Sequence, residues 1–189
     1  MRIQIALLSI LLGLLINSHT SAQVYKFDTA HTSISFKVSH FDISWTHGRF
    51  NKFAGKFTID QDVERSSFEL TIDVASVDTA NQQRDDHLRR ADFFDVEKYP
   101  EITFKSTSVK RVDNGLEVTG DFTMLGVTKP IVFVLEGGRT AEFPQGTKRI
   151  GFTTTLQIKR SDFGMGYMLQ AIGDDVFISI SFEGVESKE

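Results

Sequence analysis

Ser67-Phe68-Glu69-Leu70-Thr71-Ile72-Asp73-Val74 alternates polar and apolar side chains without a break. Successive side chains of an extended chain point to opposite faces, so this stretch predicts a β-strand with one dry and one wet face. The pattern recurs. Ile34, Phe36 and Val38 alternate with Ser33, Ser35, Lys37 and Ser39. Phe53, Gly55, Phe57 and Ile59 alternate with Lys52, Ala54, Lys56 and Thr58. Ile102 and Phe104, then Leu116, Val118, Phe122 and Met124, then Phe152, Leu156 and Ile158, and finally Val176, Ile178, Ile180 and Phe182 repeat it. Residues 131–135 are apolar at every position, which predicts a strand covered on both faces. A short first strand is expected over residues 24–28. Eight or nine strands follow, separated by turn residues at Asp113-Asn114-Gly115, Gly126, Gly137-Gly138 and Pro144-Gln145-Gly146. Strands with one polar face belong to antiparallel sheets.

One segment departs from this period. Residues 82–91, QQRDDHLRRA, carry no Gly, Pro or β-branched residue. Asn81 can cap a helix there. Asp85 and Asp86 near its start and Arg89 and Arg90 near its end suit the helix dipole. One short helix is therefore expected in the long connection between two strands.

That helix is too small to cover seven apolar strand faces, so the sheet must cover itself, as a sandwich or a closed barrel. The chain holds seventeen Phe against three Tyr and one Trp. Its aromatic surface is overwhelmingly the kind without a polar handle. An eight-stranded barrel is just wide enough to be filled by its own side chains or to hold one small ligand. The residues leave both outcomes open: rings that fill the centre, or rings that line a cavity.

Residues 1–22 predict a cleavable secretory signal. Met1-Arg2 is basic, the run from Ile3 to Ile16 is mostly apolar, and Thr20-Ser21-Ala22 offers small residues for cleavage before Gln23. The apolar run is shorter than the roughly 20 residues of a membrane span. A single domain over residues 23–189, in the periplasm, is the expected mature protein. The absence of Cys excludes disulfides, thiolate metal sites and Cys nucleophiles. The formal charge is −4 with no long basic run, which argues against nucleic acid as a partner.

No nucleophile elbow, phosphate-binding loop, dinucleotide fingerprint or paired His motif of a zinc enzyme occurs. No metal and no cofactor is expected. His40 continues the apolar register of Ile34, Phe36 and Val38, as a buried hydrogen-bonded His or as a polar contact for a ligand headgroup. Asp85 to Arg90 reads as a solvated helix face or as a charged gate at a cavity mouth.

Several stretches together resemble the YceI-like family of bacterial, mostly periplasmic, polyisoprenoid-binding proteins. They are His31-Thr32-Ser33-Ile34-Ser35-Phe36 with His40, Gly48-Arg49-Phe50, and Asp85-Asp86-His87-Leu88-Arg89-Arg90-Ala91-Asp92-Phe93-Phe94. Tyr99-Pro100-Glu101-Ile102-Thr103-Phe104, Gly120-Asp121-Phe122-Thr123-Met124-Leu125-Gly126, Lys159-Arg160-Ser161-Asp162-Phe163-Gly164 and Gly173-Asp174-Asp175-Val176 complete the set. The resemblance spans residues 24–187. It implies an extended, lipocalin-like, eight-stranded antiparallel barrel with a long-chain lipid in its lumen. It implies no catalytic residues, and a homodimer in many members.

With that resemblance, the alternating apolar positions become candidates for the lumen lining: Phe36, Val38, Phe57, Ile72, Val74, Phe104, Phe122, Met124, Phe152 and Leu156. Phe163, Met165, Met168 and Phe177 join them, Phe177 being out of register with Val176 and Ile178. Polar anchor candidates are His40, Arg84, His87 and Arg89. The function expected is sequestration or carriage of an isoprenoid quinone or polyprenyl-type lipid without catalysis, with transient contact to the membrane or to envelope proteins. Two other readings stay open. One is an enzyme working on a held lipid with His40 or His87 as acid or base. The other is a solidly packed barrel serving as an interaction module.

Overall fold

The computed structural model describes residues 22–187, so the expected signal segment lies outside the described residues but for Ala22. The strands are β1 (Gln23–Phe27), β2 (Ser33–His40), β3 (Ser44–Phe50), β4 (Phe53–Ile59), β5 (Ser67–Asp73) and β6 (Val77–Asp78). After the helix α1 (Gln82–Leu88) come β7 (Glu101–Val112), β8 (Gly115–Met124), β9 (Val127–Glu142), β10 (Lys148–Lys159) and β11 (Ile172–Glu186). All pairings are antiparallel, and eight strands close into a barrel in the order β1-β4-β5-β7-β8-β9-β10-β11 and back to β1. Closure removes the exposed edges that an open sheet of this kind would present.

The remaining strands extend the wall. β11 pairs with β1 over Gly184–Glu186 and with β2 over Val176–Ser181. β1 and β2 are thus two parts of one broken strand, and β4 and β3 are its hairpin partners. β3 then holds only the two-residue β6. The fifteen residues of β11 span about 50 Å along the strand.

Side-chain depth divides the interior. At one end Tyr25, Phe57 and Phe68 stack in series, with centroids 5.2 and 5.5 Å apart. Phe182 meets Phe27 at 5.0 Å and Phe57 at 5.4 Å. Phe152 packs on Phe182 at 5.5 Å. These rings plug that end of the barrel. Towards the other end the interior faces draw apart.

Two expectations need correction. Val132 on β9 is 58% exposed, so the apolar run at residues 131–135 is not covered on both faces. The Ser67–Val74 alternation outlasts its strand by one residue. Asp73 accepts from the Ala75 amide at 3.0 Å and turns the chain into a 3-10 turn that begins at Val74.

Candidate lipid-binding cavity

Above the aromatic plug lies a cavity of about 1310 Å³ that opens at the end carrying α1 and the β2–β3 turn. Phe27, Phe68 and Phe182 form its floor. Twelve of the expected lining and anchor positions are brought together along its wall and mouth. Phe36 and Val38 come from β2, Ile72 from β5, Phe104 from β7, Phe122 and Met124 from β8, and Leu156 from β10. Met165 and Met168 line it from the loop before β11, and His40 from the end of β2. Arg84 and His87 reach it from α1.

Others fall elsewhere. Phe57 and Phe152 belong to the plug and are sealed from the cavity. Val74 is the buried first residue of the 3-10 turn and does not line the cavity. Phe163 packs edge-on against the outer side of Phe122, at 5.3 Å, with Lys129 above it. Phe177 points out of the barrel because Val176 and Ile178 occupy the inward register, and it meets Trp45 at 5.4 Å. Arg89 is a structural clip: its guanidinium donates to the carbonyls of Ala75 (2.8 Å) and Val77 (3.0 Å) and to Asp86 (3.0 Å).

How a wall of Phe leaves room for a guest is answered by glycine. Phe36 lies on Gly48, its partner on β3, and Phe104 lies on Gly120 of β8. In each case a Cβ on the glycine would strike the ring. The missing side chain lets the ring lie along the wall instead of across the lumen.

The mouth is polar and well built. Asn81 caps α1 by accepting from the Arg84 amide at 3.0 Å. Thr79 gives its amide to the buried Asp85 carboxylate at 2.9 Å, and Arg84 donates through Nε to Thr79 Oγ1 and through Nη2 to the Thr79 carbonyl, both at 2.7 Å. His87 pairs with Asp92 at 3.1 Å, and its ring stands edge-on to Phe93 and Tyr167. His40 is exposed at the lip, with its ring against Phe41. It is not the buried core histidine that its register allowed.

Sequence reasoning passed over four contributors. Phe93 and Phe94 are buried and close the wall where β6 is short. They sit in turns without any period to announce them. Arg160 is only 2% exposed, and its guanidinium donates to the carbonyls of Gly173 (2.9 Å), Met165 (2.9 Å) and Ile172 (2.8 Å). Burial pulls its pKa down and the nearby Asp174 opposes that shift. Thr154, inward between Phe152 and Leu156, is buried against the lumen, and its hydroxyl has no partner within the protein.

Comparison with known proteins fits this architecture. The YceI-like domain family matches residues 25–184. The chain is 40% identical to the protein YceI of Escherichia coli O17:K52:H18 over 167 residues, covering 87% of each. Among solved structures, BcnA of Burkholderia cenocepacia superposes with a TM-score of 0.74 at 28% identity, over 83% of this chain and 98% of that one. A polyisoprenoid binding domain from Saccharophagus degradans superposes with a TM-score of 0.68, over 86% of this chain and 98% of that one. At 21% identity this last likeness speaks to the fold alone.

Proposed function

The chain belongs to the YceI-like family, and from that premise we propose that it is an exported, periplasmic carrier that holds one long-chain apolar lipid in its lumen without chemical change. The observation that carries this reading is the cavity: about 1310 Å³, apolar along its wall, floored by aromatic rings and open at one polar mouth. That volume exceeds the roughly 300–1,000 Å³ of sites for drug-sized ligands. Each methylene moved from water into such a site gains about 0.8 kcal/mol, so a long chain supplies ample affinity before ordering costs are subtracted. An isoprenoid quinone or a polyprenyl-type lipid suits these dimensions, in keeping with the polyisoprenoid binding domain among its structural relatives. Thr154 supports a guest that carries a hydrogen-bonding group at depth, since its buried hydroxyl lacks a protein partner. The leader-like residues 1–22, basic at Arg2 and then mostly apolar, support export.

Native mass spectrometry of protein purified from its own host tests the reading. A co-purifying lipid is expected, and its removal should lower the melting temperature by linkage. Protein that arrives empty and takes up no member of a prenyl-lipid panel would end the proposal. Conversion of the bound lipid to a new product that stops on His40→Ala would favour the enzymatic reading instead.

A further inference from the structure

Large hydrophobic side chains exposed on this molecule are concentrated in two segments. Phe41, Ile43 and Trp45 come from the β2–β3 hairpin, and Tyr167, Met168 and Leu169 from the loop before β11. Among the described residues only Val132 and Phe143 share that exposure elsewhere. The two segments are tied together, since the Phe41 amide donates to the Ala171 carbonyl at 2.7 Å. Ile43, Trp45 and Leu169 border one shallow surface hollow, while Trp45 and Met168 also line the main cavity. The patch is therefore the outer lip of the cavity mouth. A contiguous exposed apolar surface on a globular protein marks a contact site.

Backbone conformation points the same way. Phe41 and Met168 hold φ at 52° and 53°, the left-handed region that bulky side chains disfavour. Both residues stay largely exposed at the lip, at 56% and 46%, and backbone outliers of this kind cluster at functional sites. Tyr and Trp at a lip, with Lys37 standing 4.7 Å above the Trp45 ring, match the amphipathic belt found at membrane–water interfaces.

Charge selects the partner. Apart from the internally bonded Arg160, the charged and titratable residues lining the cavity are Arg49, Arg84, Arg90, His40, His47 and His87, with Asp78 as the sole carboxylate. Asp78 is already engaged by Asn51 and the Ala80 amide. The outer hollow beside Trp45 adds Asp42, Asp174 and Asp175, the last two paired with Lys159, so within a chain of formal charge −4 the three arginines Arg49, Arg84 and Arg90 stand on the cavity side of the lip. That arrangement complements phosphate headgroups.

We propose that the lip docks on a phospholipid bilayer containing anionic headgroups, so that a lipid tail passes between bilayer and lumen without crossing water. The proposal rests on the carrier reading above. Trp45 is the only Trp of the chain, so it reports on the lip directly. With vesicles of phosphatidylcholine and phosphatidylglycerol bearing brominated acyl chains, Trp45 fluorescence should be quenched and shifted to the blue. Salt and vesicles of phosphatidylcholine alone should weaken the effect. Ile43→Glu, at a position 85% exposed, and Leu169→Glu should fold normally. Each should reduce vesicle binding about tenfold or more, while leaving uptake of a short-chain prenyl lipid from solution unchanged.

Unquenched Trp45 at saturating vesicle concentration overturns the proposal. A dimer in sedimentation that Ile43→Glu abolishes, without any vesicle response in the parent protein, also overturns it and assigns the lip to a second copy. Protein that carries lipid yet ignores vesicles sinks the docking alone. Protein that docks but never takes up lipid sinks the carrier reading.

Discussion

Phe68 on β5 and Phe152 on β10 meet nearly edge to face, ring centroids 6.2 Å apart, although their strands stand on opposite sides of the eight-stranded ring. Contact across the axis turns this end of the barrel into a packed core and sets the floor of the cavity. Replacing Phe152, which is 4% exposed, by Ala leaves a void among Phe57, Phe68 and Phe182. The expected loss of stability is about 3–5 kcal/mol, read from the urea midpoint at unchanged m-value. The lumen should deepen as well, and chain-length preference in lipid uptake should move towards longer tails. An unchanged preference with the full loss of stability would show that the remaining rings still close the floor.

Arg160 fixes the opposite end. Its fork holds three carbonyls of residues 165–173 at 2.8–2.9 Å, and so shapes the loop that carries Met165 and Met168 to the cavity. Arg160→Met removes all the donors and leaves buried acceptors unpaired, at a cost of about 3 kcal/mol or more. Arg160→Lys should recover little, because an ammonium cannot reproduce the planar fork. Hydrogen exchange should accelerate in residues 164–173 in both variants while the plug strands stay protected. Uniform acceleration throughout the barrel would instead make Arg160 part of the global core.

The alternation of apolar residues made the sheet, its antiparallel character and the inward face of most strands legible, and Asn81 announced the helix. Depth along the barrel was not legible. Phe36, Phe57, Phe104 and Phe152 share the same inward register. Yet Phe57 and Phe152 fill the plug, while Phe36 and Phe104 lie flat on glycines and bound the cavity. Period 2 encodes which face a side chain takes, and the partner across the axis depends on closure and shear. Strand β3 was hidden for a related reason. Its inward positions, opposite Val38, Phe36 and Ile34, are Thr46, Gly48 and Phe50, so no apolar alternation marks it. Arg160 was equally hidden, because a cation held by loop carbonyls is a product of tertiary structure.

Asp28 gives the molecule an acid-sensitive clasp. The Arg149 guanidinium donates to both Asp28 and Glu183, and the His31 ring bonds Asp28 at 2.9 Å. Arg149 first, and then His31, hold the Asp28 carboxyl well below the usual carboxylate range. A depressed folded-state pKa stabilises the fold above the unfolded value, about 3.9, and that contribution is lost as pH falls through the folded value. Stability measured from pH 5 down to pH 2 should therefore decline, and Asp28→Asn should flatten the decline while lowering stability at neutral pH. Equal acid slopes in parent and variant would remove Asp28 from the account. Asp28, His31 and Glu183 come close enough to suggest a cation site, but the guanidinium already stands among them.

Gly48 and Phe36 test whether the cavity depends on rings lying along the wall. The three atoms that a methyl group at Gly48 would meet first all belong to the Phe36 ring. The ring must then swing inward, since the strand behind it cannot yield. Overpacking of this kind costs about 1–3 kcal/mol, so Gly48→Ala should fold but hold less guest. Weaker uptake of long prenyl chains and a preference for shorter ones are expected in competition binding followed by mass spectrometry. The double variant Gly48→Ala with Phe36→Leu should regain the long-chain guest, because the smaller side chain clears the lumen that the displaced ring obstructs. If the double variant binds no better than Gly48→Ala alone, then the glycine serves the strand pairing of β2 and β3 and not the volume of the lumen.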